Sequence, residues 1–97
     1  MNKVESRLQS EIRRFLKVEN KCYVLVIKPQ PGIPDGCPDI IFMKEGFWGS
    51  IEVKKDPQEG YRPLQKETIA KHNEWSWSRR VDPTNWQEVK TELEGIL

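Results

Sequence analysis

Between residues 36 and 54 the chain reads G-C-P-D-I-I-F-M-K-E-G-F-W-G-S-I-E-V-K, and this stretch constrains the fold more than any other. Two apolar runs, at 40–44 and 50–55, flank a glycine-bounded turn expected at 45–49. In a strand, side chains alternate faces, so residues two apart point the same way. Ile51 and Val53 then share the face that enters a core, while Glu52 and Lys54 share the other. Paired as a hairpin, the two strands bring Asp39, at the head of the first, towards Glu52 in the second. Two carboxylates and one ammonium are thus expected to meet at the edge of a small sheet.

That grouping has a chemical use. Mg2+ and Mn2+ take hard oxygen ligands, and Mg2+ is usually held by one or two carboxylates together with water and substrate phosphate. Such an ion polarises a phosphodiester and lowers the pKa of water. A nearby lysine orients the water or neutralises charge on the transition state. Pro-Asp and Glu-x-Lys are common pairs, so these residues alone fit a surface turn and a solvated strand face equally well.

A chain of 97 residues makes one domain with an adequate but not generous core. The net charge of +1 gives no bulk attraction to nucleic acid, so any such binding must come from clustered Lys and Arg. Cys22 and Cys37 are the only cysteines and His72 the only histidine, which fits no cysteine-based zinc motif. Reduced, buried thiols in a cytoplasmic protein are the expectation. No run is long and apolar enough for a membrane span, and no signal-peptide pattern is present.

In chain order, residues 2–19 read as an amphipathic helix with Val4, Leu8, Ile12, Phe15 and Leu16 on one stripe. Glu5 and Glu11 both border that stripe, and either can point across a sheet edge at a metal site; a solvated boundary is the plainer reading of each. Residues 22–28 read as a buried strand. Four prolines and two glycines in residues 29–38 make a loop. It carries a second Pro-Asp, so Asp35 competes with Asp39; Asp39 is preferred because it leads directly into a strand. Phe47 and Trp48 fall at the expected hairpin tip, where they either stack on bases, join a dimer contact or fold back. A helix is expected from Pro63 to about Asn73, with Gln65 in its first turn, near where a phosphate could approach. His72 reads as structural. A strand over 74–81 and a helix over 85–94, capped by Asp82 or Thr84, complete the chain. Trp77 and Trp86 are expected in the core. The order is α-β-β-β-α-β-α, an α/β fold whose mixed sheet is flanked by helices.

Several of these segments together resemble one family. The P-D-(x12)-E-x-K spacing is similar to the PD-(D/E)xK (restriction-endonuclease-like) superfamily. The opening helix E-S-R-L-Q-S-E-I-R-R-F-L from Glu5, the strand entry G-C-P-D-I, the strand I-E-V-K and the helix start R-P-L-Q resemble, in order, the motifs of the VRR-NUC nucleases. Small stand-alone forms of that family occur in phages and prophages. The resemblance implies Asp39 and Glu52 as metal ligands, with the Val53 carbonyl as a third. It implies Lys54 as the catalytic lysine, Gln65 as its helper and Glu5 as the helix acid. It also implies Mg2+ or Mn2+ as cofactor, and a homodimer cutting branched DNA such as a four-way junction. Arg13, Arg14, Lys55, Arg62 and Lys66 are the candidate DNA contacts. The rival expectation is a non-catalytic DNA-binding or assembly module that keeps the fold, motivated by the low net charge.

Overall fold

The computed structural model describes residues 2–97. It is an α/β fold in the order α1 (Lys3–Arg14), a π-helical turn (Phe15–Glu19), β1 (Tyr23–Val26), β2 (Ile40–Lys44), β3 (Phe47–Val53), α2 (Gln65–Trp75), β4 (Trp77–Val81) and α3 (Trp86–Glu94). The four strands form one mixed sheet in the order β1-β2-β3-β4. The first three run antiparallel, and β4 joins β3 in parallel after the α2 crossover.

The register puts Phe42, Gly49 and Trp77 side by side on one face, and Ile40 beside Ile51. A methyl group at Gly49 would sit 2.5 Å from the Phe42 ring and 3.0 Å from Trp77. Glycine there lets the two rings meet edge to face, at 5.8 Å between centroids. Leu8, Ile12, Phe15 and Leu16 cover this face from the first helix, and Trp86, Val89 and Leu93 from α3; all are buried. Burial of this apolar surface is the main stabilising contribution. The opposite face is more polar. There Ser50 and Ser78 are buried beneath α2, their hydroxyls 2.8 Å apart, with His72 Nδ1 2.7 Å from Ser50 Oγ.

Several local expectations are corrected. The hairpin turn is only Glu45-Gly46, with Gly46 at φ +77°, a conformation glycine adopts without a Cβ clash. Phe47 and Trp48 are therefore strand residues opposite Lys44 and Met43. Phe47 packs near Phe42, and Trp48 meets His72 edge to face, so both fold back. The first helix does not continue as α-helix to residue 19: from Phe15 it widens into a π turn, closed by Asn20 N–H donating to Phe15 O. The strand expected at 22–28 is shorter and is not buried. It is the sheet edge, and Tyr23 is 64% exposed. An apolar run reads alike for a central strand and for an edge strand covered on one side. Cys22 is buried and Cys37 half-buried, and both are free thiols. Glu74 and Trp75 end α2 rather than begin β4, which leaves Trp75 exposed. Asn85 precedes α3 without a side-chain capping bond, while the Asp82 carboxylate accepts from Thr84 N–H at 2.7 Å. Trp77 and Trp86 are core residues. No helix among the described residues is long and apolar enough to cross a membrane.

Candidate active site

The site lies at the end of β3, where the start of α1, the head of β2 and the start of α2 converge. Asp39 immediately precedes β2, across from Glu52. Its Oδ2 accepts a hydrogen bond from Val53 N–H at 2.8 Å, which fixes the carboxylate on the sheet. Glu52 lies on the polar sheet face and is 2% exposed. Lys54 follows the strand, with its N–H donating to Val81 O at 2.8 Å. Its ammonium donates to Gln65 Oε1 at 2.9 Å and lies 3.9 Å from Glu52 and 3.8 Å from Glu59. Glu5, Asp39, Glu52, Val53, Lys54, Glu59 and Arg62 line one cleft of about 280 Å3. Of the alternatives left open by the sequence, Glu5 and Asp39 face this cleft; Glu11 and Asp35 are exposed and line other grooves.

The start of α2 is set by a close backbone contact. Pro63 does not open the helix as expected. Leu64 takes a left-handed conformation at φ +66°, and the helix begins at Gln65. Gly36, at φ +81°, packs against Leu64: a methyl group there would sit 2.6 Å from Leu64 O. The proline loop thereby locks Gln65 over Lys54. Gln65 is buried, and its Oε1 also accepts from Arg62 N–H at 2.7 Å. Its Nε2 is buried without a hydrogen-bond partner.

The electrostatics follow from two acids in a poorly solvated place. Burial, the Asp39 charge and a hydrogen bond with Asp39 push the Glu52 carboxyl up to about 8, against the pull of Lys54 and Arg62. Glu5 is also raised, by burial and then by its neighbours Glu59 and Asp39. Glu59 is lowered: the Lys55 N–H bond, Lys54 and a hydrogen bond with Glu5 outweigh its burial. Arg62 Nη2 stands 3.5 Å from Glu52 Oε1 and 3.7 Å from Asp39 Oδ1.

These residues fit a hard divalent cation. Among the described residues, no three His, Cys, Asp or Glu side chains form a ready-made metal cage. The Asp39–Glu52 pair supplies two carboxylates, the number a Mg2+ site uses beside water and phosphate. A cation there would offset both the burial and the Asp39 charge that raise Glu52.

Lys54 is not the solvated strand-face residue that alternation alone allows. It is instead 2% exposed and tied to three polar side chains. Of the candidate DNA contacts, Arg13, Arg14, Lys55 and Lys66 are exposed, Lys66 with its ammonium 5.9 Å from the Tyr61 ring centroid. Arg13 and Arg14 sit at the far end of α1 from Glu5 and do not join the cleft. Arg62 faces the carboxylates.

Two residues escaped the sequence reading. Glu59 lies in the loop between β3 and α2, and its Oε1 accepts from Lys55 N–H at 2.8 Å. Arg80 holds that loop. Its Nη2 donates to the carbonyls of Asp56, Pro57 and Glu59, at 3.2, 3.3 and 2.6 Å, and its guanidinium stacks 4.8 Å from the Tyr61 ring centroid. The only sequence signal for Arg80 was its place on a strand.

Compared with known family models, with curated proteins and with solved structures, the chain matches none.

Proposed function

We propose that this chain is a Mg2+- or Mn2+-dependent endodeoxyribonuclease with a PD-(D/E)xK core of the VRR-NUC type, hydrolysing phosphodiester bonds in branched DNA such as four-way junctions. The observation that carries the reading is that Asp39, Glu52 and Lys54 meet Glu5 in a single cleft, with Gln65 buried behind Lys54 and bonded to its ammonium. Four separate segments of the chain contribute, which a solvated strand face does not require.

When bound, the divalent ion polarises the phosphodiester and acidifies water. Asp39 and Glu52 would hold it, with the Val53 carbonyl as a further oxygen donor. Lys54, kept in place by Gln65, presents its ammonium to the cleft. There it orients the attacking water and offsets negative charge developing on the phosphate oxygens. Glu5, whose carboxyl is raised, faces the same space and can exchange a proton with that water. Lys55 and Lys66 are exposed cations next in sequence to Lys54 and Gln65, offered to the flanking phosphates.

A homodimer fits the part of the polar sheet face that α2 leaves open. Tyr23, Leu25 and Met43 are exposed there. Two sites related by a twofold axis would suit a symmetric branched substrate.

The deciding experiment is incubation of end-labelled four-way junction, flap, linear duplex and single-stranded DNA with Mn2+ or with EDTA. Paired, metal-dependent incisions in the junction are expected. Cleavage of flaps or duplex alone would keep the chemistry and remove the junction preference. A folded protein that cuts nothing would favour the second reading, a non-catalytic DNA-binding or assembly module. One observation favours that alternative: Arg62 and Lys54 already neutralise the carboxylate pair. Calorimetric titration with Mn2+ separates the two, because the module takes up no metal.

A further inference from the structure

Two cations of the chain face the Asp39–Glu52 pair, and they are held very differently. The Lys54 side chain is 3% exposed and anchored to Gln65. The Arg62 side chain is 52% exposed, and its two contacts with the acids, at 3.5 and 3.7 Å, are ion pairs longer than hydrogen bonds. The Arg62 backbone is fixed, because its N–H donates to Gln65 Oε1. Its guanidinium is thus the exposed end of a side chain on an anchored stem. There is space beside it: Arg62 also lines an adjoining cleft of about 240 Å3, whose walls include Ile33, Pro34 and Pro63 and the carboxylates of Asp35 and Asp39.

A divalent ion held by Asp39 and Glu52 would lie within a few ångströms of the Arg62 charge. Repulsion between them would be strong at that range, and Arg62 is the partner that can leave. A half-exposed guanidinium rehydrates on leaving, so its departure costs little. A planar guanidinium at the rim of such a site is also suited to a phosphate, which it grips with two parallel N–H bonds.

We infer that Arg62 is a displaceable counter-ion: it neutralises Asp39 and Glu52 in the metal-free site, yields to the divalent ion, and then holds a phosphate of the nucleotide flanking the cut. This rests on the metallonuclease reading and assigns the arginine two successive partners. Its charge opposes metal binding, and its fork favours nucleic acid once metal is present.

The test compares wild type with Arg62→Gln and Arg62→Lys. Mn2+ affinity is measured by calorimetry without DNA, and affinity for a nicked duplex product by anisotropy in Mn2+. R62Q should bind Mn2+ on the order of tenfold more tightly, within the usual range of coupling between competing ligands. It should bind the product on the order of tenfold more weakly, as loss of a charged hydrogen-bonded contact implies. In EDTA its melting temperature should fall below that of wild type. R62K keeps the charge and loses the fork, so its Mn2+ affinity should stay near wild type while product binding weakens. A purely structural arginine would weaken both affinities in R62Q. That result, or equal Mn2+ affinity in wild type and R62Q, overturns the inference while leaving the metal site standing. Absence of Mn2+ uptake by both proteins is a different outcome: it removes the metallonuclease reading and the inference with it.

Discussion

The Lys54 ammonium donates to the Gln65 amide oxygen at 2.9 Å, joining the end of β3 to the first residue of α2. The proposed catalytic lysine is thus also a structural bond between two elements. Substituting it tests both roles.

Lys54→Ala should abolish metal-dependent cleavage. It should also destabilise the fold by about 2 kcal/mol, because removing one member of a buried charged cluster leaves its partners unpaired. Urea unfolding gives the second quantity. A variant as stable as wild type would refute the structural role of the Lys54–Gln65 bond.

Asp39→Asn should remove the rise in melting temperature that Mn2+ binding at the proposed site would give wild type by mass action. Without metal it should have the opposite effect. Glu52 has a folded pKa near 8 against an ordinary value of 4.5. The folded state therefore holds a proton that the unfolded state has released. Stability from this group is complete at low pH and lost as pH rises through 8. Removing the Asp39 charge lowers that pKa, so the variant should lose less stability between pH 6 and 9 in EDTA. Parallel melting curves for the two proteins would refute the coupling.

His72 gives a pH effect of the opposite sign. Burial lowers its pKa below the ordinary 6.5. The folded state holds it neutral, beside Ser50 Oγ at 2.7 Å. Stability from this group is complete above pH 6.5 and lost as pH falls below it, because the unfolded chain takes up the proton first. His72→Gln should lower stability at pH 7.5 and should flatten the acid limb between pH 6.5 and 5. An unchanged acid limb would show that His72 titrates freely.

Gly36→Ala should be costly although residue 36 carries no functional group. Its φ of +81° strains any side chain, and the added methyl group would meet the Leu64 backbone at 2.6 Å. A loss of about 2 kcal/mol or more is expected, with cleavage falling further than stability because Gln65 shifts over Lys54. Urea unfolding and cleavage rates on the same preparation measure the two losses.

The strand alternation around Ile51-Glu52-Val53-Lys54 made the two faces of β3 legible, because a period of two has few other readings. Asp39 was legible by its place at the head of β2. Periodicity did not separate Glu5 from Glu11, since both border the apolar stripe and only the end of the helix that meets the cleft decides; the family resemblance alone pointed to Glu5. Glu59 and Arg80 were not legible. Arg80 binds carbonyl oxygens, which every residue carries, so its partners leave no mark in the side-chain pattern. The hairpin turn was drawn too long because Phe47 and Trp48 follow Gly46 directly, and only strand pairing shows that they belong to β3.

The parallel joint between β3 and β4 separates the site into parts with different histories. Asp39 and Glu52 belong to a hairpin closed by two residues, a loop that forms in microseconds. Arg80 and the loop it clasps reach Glu52 only after α2 has crossed over, and longer closures of this kind are slower. Lys54 directly follows the same strand, so the acidic pair and one of its cations are local to the hairpin, while Arg80 joins only through the crossover. The carboxylate pair is therefore a local feature of the chain, and the Arg80 clasp on its neighbouring loop is a long-range one.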